Sequence, residues 1–322
     1  MASERPRPEA DRLPLAGLSH LPKAMEQGQA TMIKRMARSL NERLLAPADL
    51  KVVRRSALVI PAERRIANRN ILFFHPPKCG GTSVSKALSR CFGQDRLECA
   101  GKTFHLDAIA SRRAAEAIGT PLPAYREMLL SYALGMDGIQ YISGHFPFSN
   151  RLLQGHDAQW DFITVLRHPF ERLLSTYYYN RHKPNREHFP IEQPLEEWLQ
   201  TDNARQSATL FLRLFNGELA RRAEPSREGH PSPATEQAVQ EAIANLRRFT
   251  LVGETADMAG FIGRINEEFE INLQPRHERR SPAPDYQRFE EQPLAIQRQI
   301  AELCAPDLAI YEAFFENRHR AC

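Results

Sequence analysis

The 322-residue chain has no apolar run long enough to cross a bilayer and no Asn-x-Ser/Thr acceptor site, and its first residues lack the short apolar core of a secretion signal. Those absences set the expectation of a cytoplasmic protein. Five cysteines, Cys79, Cys91, Cys99, Cys304 and Cys322, are odd in number and widely spaced, with no Cys-x-x-Cys pair. A disulfide framework, a zinc ribbon or a redox pair is therefore not expected, and free thiols in a reducing compartment are. No cluster of His, Cys, Asp and Glu has ligand spacing, so no metal is expected either. Internal repeats are missing too. The net charge is only +4, which suits an anionic cofactor or substrate but is too small to argue for nucleic acid. With 42% hydrophobic and 25% charged residues, the composition is that of a soluble globular protein.

The length suits one large α/β domain with extensions. Residues 1–50 read as an N-terminal extension. Its first twenty residues are rich in proline and charge, and Lys23 to Leu45 has the pattern of a basic amphipathic helix. Packing on the domain, or on a second subunit in an oligomer, is the expected role, with weak membrane-surface association as the alternative. Residues 51–322 read as a single domain.

What is present begins at Ile71-Leu72-Phe73-Phe74, an apolar run that reads as a buried parallel strand and stops at Pro76-Pro77, where the ladder donors are lost. Lys78-Cys79-Gly80-Gly81 follows, and Thr82-Ser83 open a helix with Val84, Ala87, Leu88 and Cys91 at helical spacing. Amides at such a helix start, with hydroxyls and a lysine beside them, form a site for a phosphate or sulfate group. The common nucleotide-triphosphate loop places its lysine after the last glycine; here Lys78 precedes both.

A second strand-loop-helix unit runs through Asp161 to Leu166, then Arg167-His168-Pro169, then a helix from Phe170 to Asn180. Phe170, Leu173, Leu174 and Tyr177 form its packed stripe, with Arg172 and Ser175 on another face. Arg167 and Ser175 can converge on one anion, because a guanidinium fork suits phosphate oxygens. Between the two units, a strand candidate in Ile139 to Phe148 ends at Gly144-His145-Phe146, and a last strand reads at Thr250 to Glu254. Gly101 to Leu134 reads as mostly helical with breaks at Pro121 and Pro123. The basic stretch Arg276 to Arg288 reads either as a surface loop or as a flap over an anionic cofactor. Apolar strands alternating with helices give an α/β fold, a P-loop-like parallel sheet flanked by helices on both faces. Ligands in such sheets bind beyond the carboxyl ends of the strands.

The Lys-Cys-Gly-Gly-Thr-Ser order resembles the 5′-phosphosulfate loop of sulfotransferases that use 3′-phosphoadenosine 5′-phosphosulfate (PAPS). The Arg167-x-Pro169-x-x-Arg172-x-x-Ser175 pattern resembles their 3′-phosphate site. The Gly144-His145-Phe146 triplet is similar to the acceptor-side histidine region of heparan sulfate 2-O-sulfotransferase and related carbohydrate sulfotransferases. Looser likenesses at Asn203 to Leu210, Leu251 to Glu254 and Asp307-Leu308-x-x-Tyr311 extend the resemblance over roughly residues 70 to 315. Animal members have a histidine where this chain has Ser143, and they are Golgi membrane proteins.

The resemblance implies an enzyme moving a sulfuryl group from PAPS to a hydroxyl of a carbohydrate or glycoconjugate, with the 3′,5′-bisphosphate PAP as product. Lys78 would stabilise the leaving group and His145 would act as base. Lys78, Cys79, Gly80, Gly81, Thr82 and Ser83 would hold the 5′ end, and Arg167 with Ser175 the 3′-phosphate. Within the basic run after the second helix, Lys183 and Arg186 are candidate acceptor contacts. Other readings stay open beside these. Lys78 is then only a clamp, His145 only a structural hydrogen-bond partner, Glu254 the base, or Cys79 a redox thiol. At the level of the whole chain the rivals are a P-loop-type kinase or nucleotide hydrolase, which the lysine position and missing magnesium ligands disfavour, and a noncatalytic binder of a phosphoadenosine nucleotide.

Overall fold

The computed structural model describes residues 66, 69–92, 102–183, 189–222, 236–274 and 283–319. The helix expected at 23–45 and the candidate contact Arg186 lie outside the described residues. In chain order the strands are β1 (Asn70–Phe74), β2 (Thr103–His105), β3 (Tyr141–Gly144), β4 (Trp160–Leu166) and β5 (Leu251–Glu254). The longer helices are α1 (Gly81–Cys91), α2 (Ala108–Ala117), α3 (Leu122–Leu134), α4 (Pro169–His182), α5 (Glu236–Leu246), α6 (Met258–Glu268) and α7 (Leu294–His319). All five strands are parallel, in the order β2-β3-β1-β4-β5. This is the P-loop-like α/β sheet with flanking helices that the strand and helix periods lead one to expect.

The inner strands are apolar on both sides because helices cover both faces of the sheet. Ile71 to Phe74 of β1 and Phe162 to Leu166 of β4 are buried without alternation. Phe74, Phe148, Phe162 and Phe249 meet with ring centroids 5.2 to 6.0 Å apart and mostly tilted or edge-on, the arrangement aromatic quadrupoles favour. A second cluster joins α4 to α7 through Leu173, Leu174, Tyr177, Tyr178, Trp198, Ile300 and Cys304. Phe170, expected in the packed stripe of α4, borders that cluster partly buried.

One segment differs from the sequence reading. Residues 101–134 were expected to be helical apart from proline breaks, yet Thr103–His105 forms an edge strand on β3 before α2 and α3 follow. Three residues are too short to display a period of two. The strand exists because the outer edge of β3 needs partners: Tyr141 N donates to the Lys102 carbonyl at 3.0 Å and Leu106 N to the Ser143 carbonyl at 2.9 Å.

Candidate functional site

Parallel strands send their carboxyl ends to one edge, so the strand order fixes the order of the loops there. His105 ends β2, His145 follows β3, the Lys78 loop follows β1, Arg167 follows β4 and Glu254 ends β5. The chain leaves β1 toward β2 on one side and leaves β4 toward β5 on the other. The adjacent loops after β1 and β4 therefore diverge, and the place between two such loops is the usual ligand position in open α/β sheets.

The loop after β1 is tightly wound. Lys78 and Gly80 both have positive φ, 68° and 75°; glycine takes this conformation freely, whereas for lysine it is strained. Gly80 is the N-cap of α1, with no side-chain cap on the helix amides and no acidic residue in the first turn. Thr82 and Ser83 are half-buried at that first turn. A helix start of this kind offers amides to an anion. Cys79 is fully buried, so only its backbone can face a ligand, and burial pushes its thiol up to about 12. A neutral thiol lacks the thiolate that a redox role needs.

Two sets of contacts tie this loop to the one after β4. The Thr255 hydroxyl lies 2.9 Å from the carbonyl oxygens of both Cys79 and Leu166. On the other side, the Lys78 ammonium sits 3.5 Å over the ring of Tyr179 on α4. Glu171, Ser175 and Tyr179 succeed one another at i, i+4 spacing and so share one face of α4. Arg167 binds Glu171 at 3.1 Å at one end of that face, and Lys78 meets Tyr179 at the other. Ser175 lies between. Eight residues of helix span about 12 Å, so this face of α4 runs from Arg167 past the buried Ser175 to Lys78. Arg172 is not part of it. It is 1% exposed and pairs at 3.8 Å with the buried Asp307.

The histidines gather on the β3 side. His145 Nδ1 donates to the His75 carbonyl, and because a carbonyl only accepts, this bond leaves the lone pair on Nε2. The His75 and His145 rings lie 5.0 Å apart. His75 stacks on Phe73 and packs against Gly81, where a Cβ would come within 2.4 Å of its Cδ2. The His105 ring bonds the Ser143 hydroxyl at 2.8 Å, and Ser85 and Tyr141 continue that hydroxyl chain into the interior. Burial first, and then the proximity of the His145 and His105 rings, hold the His75 pKa well below its ordinary value.

A buried neutral histidine must take up a proton when the chain unfolds in acid. Its depressed folded pKa gives a contribution to stability that is complete above the unfolded value near 6.5 and lost as pH falls below it. Urea unfolding at stepped pH is expected to show stability dropping below pH 6.5 by up to about 1.4 kcal/mol per pH unit from this residue. His75→Phe should flatten that slope. An unchanged slope in the variant would assign the acid sensitivity elsewhere.

Glu254 is 3% exposed and accepts a hydrogen bond from the Tyr311 hydroxyl. Three strand spacings, about 14 Å, separate β5 from β3, so Glu254 and His145 stand at opposite sides of the Lys78 loop. Lys183, 7% exposed, follows the end of α4, and its ammonium donates to Asn180 Oδ1 at 2.8 Å and the Phe189 carbonyl at 3.4 Å. Burial, then Arg112, lowers its pKa. Sequence reasoning missed Arg126, which bonds the His145 carbonyl at 3.4 Å, the Ala108 carbonyl and the Ser111 hydroxyl. Burial lowers its pKa to about 10. No carboxylate among the described residues pairs with Arg126 or Lys183. Tyr179 and Tyr286, the latter 3.1 Å from Arg167, were missed too, since neither motif spacing nor periodicity marks them.

No family model matches the sequence, and no curated protein matches it. Among solved structures, the chain is similar to mouse sulfotransferase SULT7A1 complexed with PAP, at 12% identity and a TM-score of 0.35 over 80% of each chain. At that distance the likeness says nothing about activity, which has to come from the residues of this chain.

Proposed function

We propose that the protein is a PAPS-dependent sulfotransferase that transfers a sulfuryl group to a hydroxyl of a carbohydrate or glycoconjugate. The observation that carries this reading is the shared helix face, on which Tyr179 touches Lys78, Glu171 touches Arg167, and Ser175 lies between. A nucleotide with phosphate at both its 5′ and 3′ positions fits a crevice with an amide-rich helix start at one end and a guanidinium fork at the other. Arg167 places Nη2 on Glu171 and Tyr286, and its Nη1 and Nε donors make no bond to the described residues, which leaves Nη1 for a phosphate oxygen.

PAPS supplies the activated sulfuryl group; the chain supplies position and counter-charge. The amides from Gly80 to Ser83 would hold the 5′-phosphate, and Arg167 with Ser175 the 3′-phosphate. Lys78 would neutralise the oxygen that keeps the electron pair when the old sulfur–oxygen bond breaks. His145 Nε2 would take the proton of the acceptor hydroxyl as its oxygen bonds to sulfur. His145 is favoured over Glu254 as base because its strand is next to the Lys78 loop and its tautomer is set by the His75 carbonyl. Arg126 and Lys183, cations bonded only to neutral oxygens among the described residues, favour an acceptor that carries negative charge.

The test is a radiolabelled sulfate-transfer screen over a panel of glycans, lipid-linked sugars and small glycosides, with mass detection of the product. A sulfated sugar product is expected. Tight binding of PAP with no transfer to any acceptor would instead favour a noncatalytic binder.

A further inference from the structure

Residues 283–292 lie along α4 at the Arg167 end of the crevice. His182 Nε2 is 2.8 Å from Asp285 Oδ1, the Tyr178 and Tyr286 rings are 5.1 Å apart, Phe289 packs on Phe170 at 4.5 Å, and Gln292 donates to the Tyr178 hydroxyl at 3.4 Å. At the centre, Glu171 accepts three hydrogen bonds, from the Tyr286 hydroxyl at 2.7 Å, the Phe289 amide at 3.0 Å and Arg167 Nη2 at 3.1 Å. The Tyr286 hydroxyl in turn accepts from Arg167 Nη2 at 3.1 Å. Arg167, Glu171 and Tyr286 thus form a closed triangle. Burial and the neighbouring carboxylate push the Tyr286 hydroxyl up to about 12, so it stays a donor to Glu171.

The donors of a guanidinium are fixed in one plane, and on a flexible chain they bind an anion well only when that plane is held in place. We propose that Tyr286 belongs to the anion site as a positioning residue: with Glu171 it holds Nη2 of Arg167, and so fixes the guanidinium plane and aims Nη1 at the 3′-phosphate of the nucleotide. The segment that carries Tyr286 is then a working wall of the crevice. This inference rests on the sulfotransferase reading of the site.

The test is calorimetric titration of the full chain with adenosine 3′,5′-bisphosphate and with adenosine 5′-monophosphate, which lacks the 3′-phosphate. Tyr286→Phe removes one oxygen and keeps the ring against Tyr178. It is expected to weaken bisphosphate binding about five- to tenfold and to leave monophosphate binding unchanged. Glu171→Gln, which keeps the side-chain volume, should give the same selective loss. In an Arg167→Ala background Tyr286→Phe should have no further effect, since a positioning residue acts only through the group it positions. Equal losses for both nucleotides, no loss in either variant, or a loss that persists without Arg167 would overturn the inference. A wild-type chain that binds bisphosphate no better than monophosphate would overturn the reading beneath it, and the inference with it.

Discussion

Lys78→Ala is expected to lower the rate of sulfate transfer about 10²- to 10³-fold while leaving the affinity for adenosine 3′,5′-bisphosphate within about threefold. The asymmetry follows from where the charge develops. On the proposed reading the ground-state nucleotide would be held by the amides of α1 and by Arg167, neither of which depends on the Lys78 side chain. Only as the sulfur–oxygen bond breaks does an extra negative charge grow on the bridging oxygen, and a preorganised cation there acts on the barrier alone. Lys78 is the residue to which the proposed reading gives this role. It holds a left-handed backbone conformation that a side chain other than glycine adopts at a cost, and its ammonium is steadied over Tyr179. Steady-state kinetics and calorimetry on the same protein separate the alternatives. If bisphosphate affinity falls as far as the rate does, Lys78 is a clamp; if turnover is unchanged, it has neither role.

The largest loss of stability is expected from Asp307→Ala, about 3–5 kcal/mol by urea unfolding. The Asp307 carboxylate is fully buried and accepts from the Phe211 and Leu212 amides at 2.8 and 2.9 Å, with the Arg172 guanidinium at 3.8 Å. Arg172 also donates to the Ser207 carbonyl, and its Nε has no partner among the described residues. Removing Asp307 strands a buried cation and two helix-start amides at once. Burial pushes the Asp307 carboxyl up to about 6 against the pull of Arg172, so ionising it in the interior is itself costly. Replacing both partners, Arg172→Met with Asp307→Leu, should cost less than Asp307→Ala alone, because the buried cation is gone and only the two amides stay unpaired. A loss below about 1 kcal/mol for the single variant would mean that the pair does not hold α4 to α7. Ser175 and Tyr179 ride on α4, so the pair also matters to the crevice.

Much of this site is legible in the sequence because its parts sit where a periodic pattern stops. The apolar runs ending at Phe74 and Leu166 mark buried strands. Pro76-Pro77 and Pro169 mark their ends, and parallel strands must deliver the loops that follow to one edge. What escapes is set by contacts between distant segments. Strand β2 is shorter than one full alternation. Tyr179 is one of three consecutive tyrosines, and only the approach of the Lys78 loop distinguishes it from Tyr177 and Tyr178. Tyr286 lies in a stretch whose composition fits a plain loop. Arg126 falls within a helix that shows no sign of facing a strand end. Arg172 sits in the motif that contains Arg167 and Ser175, yet the packing of α4 on α7 turns it inward. Spacing along a helix gives the face, but only the neighbouring elements decide whether that face meets a ligand or a core.

The measurement that bears most directly on the shared crevice is calorimetric binding of adenosine 3′,5′-bisphosphate, adenosine 5′-monophosphate and ATP to the wild-type chain and to Arg167→Ala. The wild type is predicted to bind the bisphosphate at least about tenfold more tightly than the monophosphate, without added magnesium, and Arg167→Ala to lose that difference. Equal affinity for the two adenosine phosphates, or tighter binding of ATP with magnesium, would contradict a site in which the loops after β1 and β4 grip the two ends of one nucleotide.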